Sequence, residues 1–174
     1  MTDNPDSQTS AGAPGGVTDG ATRAAANDSW RDHLLESADA IQALLERTRR
    51  IAVLGIKPES TGAPAAYVPA YAQRAGYEII PVPVYFPEVT EMFGEPVYRR
   101  LVDIPEPVDM VNVFRRSGDI PPHLDDILAS GPSSVWFQLG IRNDAVAEQL
   151  ARAGIDVVQD RCLLVELQSM GRRA

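Results

Sequence analysis

Ile51-Ala52-Val53-Leu54-Gly55-Ile56 decides the fold: six consecutive residues without a charge or a polar side chain. A strand with one face in water alternates polar and apolar residues. An unbroken apolar run of this length marks a strand buried on both faces, as in a parallel sheet. Four further runs follow: Glu78-Ile79-Ile80-Pro81-Val82, Val108-Asp109-Met110-Val111-Asn112-Val113-Phe114, Ser134-Val135-Trp136-Phe137-Gln138 and Ile155-Asp156-Val157-Val158. Helix-like pieces separate them, over 67–75, 97–102, 123–130 and 145–153, with a last one over 163–170. Gly76, Gly131 and Gly154 stand where each helix must stop before the next strand. Pro69 fits only the first turn of a helix, which sets that helix to begin near Tyr67 or Val68. Strands alternating with helices give an α/β class: a doubly wound parallel sheet of five strands with flanking helices. The expected strand order is 3-2-1-4-5, with right-handed crossovers.

Upstream of the first strand the composition changes. Residues 1–27 are mostly Ser, Thr, Gly, Ala, Asp, Asn and Pro. Such a stretch buries too little apolar surface to offset its ordering entropy, and a disordered N-terminal tail is expected. Residues 28–174 are expected to form a single domain that starts with a flanking helix. Ser29-Trp30-Arg31-Asp32 resembles a helix N-cap. Trp30, Leu34, Ala38, Ile41, Leu44 and Leu45 then recur at helical spacing.

Hydrophobic residues make up 44% of the 174 and charged residues 23%, enough for a packed core. The net charge of -8 argues against a broad nucleic-acid surface, which needs basic patches. The single cysteine, Cys162, excludes an internal disulfide. His33 and His123 lie far from it, without metal-ligand spacing. No secretory leader is read at the N-terminus, and no apolar run approaches the ~20 residues that span a bilayer. A cytoplasmic protein without membrane or nucleic-acid partners is expected. A protein partner and the oligomeric state are not legible.

Open parallel sheets bind ligands beyond the carboxyl ends of their strands. Four of the five segments that follow the strands carry cations: Lys57, Arg115 with Arg116, Arg142, and Arg161. Five of the sixteen Lys and Arg residues would gather on one edge of an otherwise acidic chain. Helix N-termini face the same edge, and arginine suits bidentate phosphate contacts, so a phosphorylated ligand is expected there. Solvated or ion-paired loop arginines are the plainer reading. The first loop lacks G-x-G-x-x-G, and the second strand ends in Pro-Val-Pro-Val with no acid for ribose hydroxyls until Glu88. NAD is therefore disfavoured, and no P-loop is present. Asp160 and Glu166 flank Cys162, but no base stands beside it in sequence, and no catalytic residue is assigned.

Taken together, I-A-V-L-G-I-K, A-P-A-A-Y-V-P-A-Y, A-G-Y-E-I-I-P-V, F-G-E-P-V-Y, D-I-P-E-P-V-D-M-V-N-V-F-R, V-W-F-Q-L-G-I-R-N and V-V-Q-D-R-C-L-L-V-E cover about Leu44 to Gly171. In this order they resemble the small stand-alone CoA-binding domain proteins, relatives of the N-terminal domain of the succinyl-CoA synthetase α-subunit. The resemblance implies a Rossmann-like fold that holds coenzyme A at the strand ends. It implies that Gly55, Ile56 and Lys57 face the nucleotide and its phosphates, and that Val82 and Pro83 line the adenosine side. Val113, Phe114 and Arg115 would follow the ligand. Leu139 and Gly140 would border the pantetheine with Arg142 at that rim, and Arg161 and Cys162 would close the far wall.

The chain departs from that family in one loop. Relatives usually read P-V-N-P after the second strand, and Pro83 here lacks the Asn hydrogen-bonding groups, so adenosine contacts must come from elsewhere. The synthetase's second domain and phosphohistidine machinery are absent, so the resemblance implies binding of CoA or an acyl-CoA as a non-catalytic or sensing module. Two alternatives stay open. One is a nucleotide- or thioester-using enzyme, with Cys162 in a redox or nucleophilic role or Asp160 in the chemistry. The other is a nucleotide-responsive interaction protein that uses Trp30 and the leading helix. Cys162 itself reads either as pocket wall or as a thiol that pairs reversibly with the CoA thiol.

Overall fold

A computed structural model of the chain describes residues 29–172. The expected tail over 1–27 lies outside the described residues. Five strands form one parallel sheet: β1 (Arg50–Leu54), β2 (Glu78–Val82), β5 (Met110–Val113), β6 (Ser134–Phe137) and β7 (Asp156–Val158). Between β2 and β5 runs a small antiparallel hairpin, β3 (Glu91–Met92) and β4 (Glu95–Pro96). Five helices flank the sheet: α1 (Ala38–Arg47), α2 (Pro64–Arg74), α3 (Leu124–Ser130), α4 (Asp144–Arg152) and α5 (Leu163–Ser169). The α/β, Rossmann-like class read from the sequence is the fold observed. Among the described residues no helix is long and apolar enough to cross a membrane.

The unbroken apolar run is explained by two cores. Ala52 and Leu54 point to one face with Val111, Val113, Val135 and Phe137, under α3 and α4. Ile51 and Val53 point to the other with Met110, Trp136 and Val158, under α1 and α5. Alternate residues therefore enter opposite cores, and no position along β1 is free to be polar.

The order in the sheet is β2-β1-β5-β6-β7. Counting only these five strands it reads 2-1-3-4-5, so the third strand lies beside the first and not beyond the second, where 3-2-1-4-5 would put it. The reason is that the outer edge of β2 is already covered. The Tyr98 N–H, just after the hairpin, donates to the Pro81 carbonyl at 3.0 Å. The next carbonyl, Val82, turns the other way, toward Gly55 N–H at 2.8 Å. Pro81 thus faces the outer edge, where its missing donor costs no bond to β1.

Three expected helices differ. The one set at 67–75 begins earlier, at Pro64, with Pro69 inside it. The one set at 97–102 does not form: the Val97 and Tyr98 N–H groups donate to the Thr90 and Pro81 carbonyls, which holds the chain extended beside the hairpin and β2. Only a 3-10 turn at Leu101–Asp103 remains. The leading helix is split. A 3-10 turn at Ser29–His33 is followed by Leu34, which bridges to Val157 in parallel fashion, and by Leu35, whose N–H donates to the Val157 carbonyl at 2.8 Å. This strap covers the outer edge of β7, which would otherwise offer unpaired donors and acceptors. Ser37 then starts α1 by accepting the Ala40 N–H at 3.3 Å.

Asp156 fastens the strap. One carboxylate oxygen lies 2.7 Å from His33 Nδ1, and the other pairs with Arg47 of α1. Replacing Asp156 with Ala removes both partners at once. The expected outcome is a loss of about 1–2 kcal/mol in urea unfolding, with faster hydrogen exchange at Leu35 N–H than at β1 amides.

Candidate functional site

Adjacent strands β1 and β5 send the chain to opposite faces of the sheet. After β1 it enters α2 on the side of Val53; after β5 it enters α3 on the side of Val113. A crevice opens between the two exits, the place where open parallel sheets bind ligands. It holds a cleft of about 600 Å³. Lys57, Phe114, Arg115 and Arg116 come from the β1 and β5 exits, and Gln138, Leu139, Gly140 and Ile141 from the β6 exit. Ala63 to Val68 at the start of α2, and Cys162, complete the walls.

Gly55 makes the crossing possible. Its φ is +86°, and a Cβ there would stand 2.5 Å from the Phe114 carbonyl oxygen. The two loops are held at that distance because Gly55 N–H bonds Val82 O and Phe114 N–H bonds Leu54 O, each at 2.8 Å. Any side chain would force them apart. Gly55→Ala is expected to cost about 3 kcal/mol in chemical denaturation, and ligand affinity is expected to fall with it.

The next residue but one is fixed by a proline. Pro69 has no N–H to donate to the Ala65 carbonyl one turn back. That carbonyl instead accepts the Lys57 N–H at 3.0 Å. The break inside α2 therefore anchors the β1 loop against the start of the helix, which forms one wall of the cleft. The Lys57 side chain has no acidic partner among the described residues.

Arg115 is the most confined cation. Its side chain is 13% exposed, and among the described residues its one ion pair is a long one, 3.6 Å to Asp119. Its guanidinium carbon sits 5.5 Å from the centre of the Tyr85 ring. Its Nε is buried without a hydrogen-bond partner among the described residues. A buried donor left unpaired is costly, and the cleft-lining part of the same guanidinium is the part an anion can reach.

The expected gathering of five cations is only partly realised. Lys57, Arg115 and Arg116 meet in the cleft. Arg142 and Arg161 line a separate polar cavity of about 360 Å³ beside the strap. Local acids explain the diversion: Arg142 pairs with Asp144 at 2.9 Å and Arg161 with Glu166 at 3.3 Å. Arg161 also donates to the Glu36 carbonyl at 3.3 Å.

Phe114, Leu139, Gly140 and Cys162 line the cleft, whereas Ile56, Val82, Pro83 and Val113 are buried. The wall from Ala63 to Val68 was missed in the sequence because the helix start was misplaced. Pro64 in the first turn is the signal that marks it.

Beneath the cleft, Gln138 Nε2 donates to Asn112 Oδ1 at 2.8 Å, and Gln138 Oε1 accepts the Leu163 N–H at 3.3 Å. This fixes the start of α5 and with it Cys162, a free half-buried thiol. Asp160 has a left-handed φ of 56°, and its carboxylate accepts the Gly140 N–H at 2.6 Å. It is thereby committed to shaping the β6 loop. No cluster of three His, Cys, Asp or Glu able to hold a metal occurs among the described residues.

His123 lies just before α3. Burial, reinforced by the nearby Arg115 guanidinium, holds its pKa below the ordinary 6.5, against the opposing pull of Asp126 and Asp119. The unfolded chain therefore takes up the proton first. Stability contributed by neutral His123 is present above pH 6.5 and is lost as pH falls from there through the folded value. The melting temperature is expected to drop between pH 7.5 and 5.5 by more in the wild type than in His123→Asn.

Fold and cleft define a class: a parallel α/β domain with a cationic crevice at the switch point of its sheet. The comparisons then specify it. Residues 49–168 match the CoA binding domain family. The chain is 36% identical over 127 residues to "Uncharacterized protein YneT" of Bacillus subtilis, covering 72% of this chain and 90% of that one. It is similar to the structure of cell-free ID.343 from Thermus thermophilus, at 39% identity and a TM-score of 0.71, over 78% of this chain and 99% of that one. It is also similar to a hypothetical protein from Pyrococcus horikoshii, at 26% identity and a TM-score of 0.70, over 77% and 92% of the two chains. A dinucleotide-forming acetyl-coenzyme A synthetase from Ca. Korarchaeum cryptofilum shares the fold at 18% identity and a TM-score of 0.52, over 62% of this chain and 25% of that one. The chain belongs to the CoA binding domain family.

Proposed function

We propose that the cleft binds coenzyme A or an acyl-CoA, and that the chain acts as a binding or sensing module without catalysis of its own. The observation that carries this reading is the meeting of three cations with an apolar wall in one cleft. Lys57, Arg115 and Arg116 suit the phosphates. Ala65, Val68, Leu139 and Ile141 suit the less polar pantetheine arm. Membership of the CoA binding domain family supports the same ligand.

The non-catalytic part rests on commitments. Asp160 is tied to Gly140 N–H, and Gln138 has both side-chain polar atoms occupied. Among the described residues no hydrogen bond joins Cys162 to a base. The enzyme reading keeps one point in its favour, the position of Cys162 in the cleft wall. In that case Cys162→Ala would abolish turnover of an acyl-CoA while binding survives.

The test is a thermal-shift titration under reducing conditions with CoA, acetyl-CoA, NAD and ATP. At about 100 times Kd, CoA should add about 2.7 kcal/mol to stability. Lys57→Ala and Arg115→Ala should each weaken CoA by about tenfold or more, as expected for charged hydrogen-bond donors. No response to CoA, with a response to NAD or ATP, would overturn the reading.

A further inference from the structure

Among the described residues six large hydrophobic side chains are notably exposed: Tyr67, Val84, Tyr85, Val102, Leu139 and Val165. Four of them stand around the strand-end crevice. Tyr67 and Leu139 line the cleft itself. Val84 and Tyr85 lie in the loop that follows β2, one strand further out. Tyr85 is 59% exposed, an expensive position for an aromatic ring.

The ring is not idle. The Arg115 guanidinium lies over it with 5.5 Å between the guanidinium carbon and the ring centre. Arg115 is itself confined, 13% exposed, with its stem passing above Gly55 and its head near Asp119. The loop thus presents a layered pair, a fixed cation against an aromatic ring, whose remaining surface is in water. Pro83 and Val82, which precede it, are buried and offer that surface nothing. A planar heterocycle attached to phosphates would find both its partners here, the phosphates at Arg115 and the ring at Tyr85.

We infer that Tyr85, which adjoins the cleft through Arg115, is a base platform beside it, taking the purine of an adenine nucleotide while Arg115 takes its phosphates. This deepens the CoA-binding proposal and rests on it. Tyr85 then sets specificity for the nucleotide half of the ligand and is indifferent to the pantetheine half.

The experiment is isothermal titration of wild type, Tyr85→Phe and Tyr85→Ala with CoA, 3′,5′-ADP and 4′-phosphopantetheine, with circular dichroism to verify folding. Tyr85→Ala should weaken CoA and 3′,5′-ADP by about tenfold, within the range measured for aromatic stacking on bases. Tyr85→Phe should restore both to within about twofold, and phosphopantetheine should bind all three proteins alike. An equal loss for phosphopantetheine in Tyr85→Ala would mean that the ring merely props Arg115, and unchanged affinities throughout would mean that it touches no ligand. Either result overturns the inference while leaving CoA binding in place. Absence of CoA binding by the wild type is a separate result, which overturns the functional reading and this inference with it.

Discussion

The site depends on one hydrogen bond that a proline makes available. Pro69 interrupts α2, and the Ala65 carbonyl it leaves free accepts the Lys57 N–H at 3.0 Å. Without that break the carbonyl would close an ordinary helical turn, and the β1 loop would have no partner on the helix. With it, the end of β1 and the start of α2 become one rigid corner. Gly55 holds the other side of the same loop against Phe114 at a distance no side chain permits. The crevice is therefore a consequence of two backbone constraints, and the cations are carried on a frame that does not rely on them.

Charge acts on that frame through burial more than through number. The chain has a net charge of -8, yet the cleft keeps Lys57, Arg115 and Arg116 clear of close carboxylates except for the long contact to Asp119. Arg115 matters most because water reaches it least. Its effect already reaches His123, whose proton affinity it lowers together with burial. An anion bound at Arg115 would offset that influence, so ligand and proton share one local field.

Much of the fold was legible because β1, β5 and β6 are buried on both faces, and burial on both faces leaves an unmistakable apolar run. Strand order was not legible. It turns on whether the outer edge of β2 is free, and the residues that cover it form a hairpin of two-residue strands followed by a single bond from Tyr98, too short to leave a period. The same segment misled the reading of a helix over 97–102, where the chain instead runs extended beside the hairpin and β2. In the site, position after a strand brings Lys57, Arg115 and Cys162 into one cleft. Arg142 and Arg161 turn to a separate cavity. The neighbouring acids Asp144 and Glu166 were readable as partners in the sequence, whereas the Glu36 carbonyl, 125 residues from Arg161, was not.

The most direct measurement is a map of backbone amide chemical shifts during titration with CoA. If the cleft at the β1–β5 switch point is the binding site, the large changes will fall on 55–57, 63–68, 114–117 and 139–141, with 84–86 added if Tyr85 takes the base, and the amides of Arg142, Arg161 and the strap over 34–36 will move little. Large changes centred on Arg142, Arg161 and the strap, with Lys57 and Arg115 unmoved, would contradict this placement and shift the ligand to the smaller cavity.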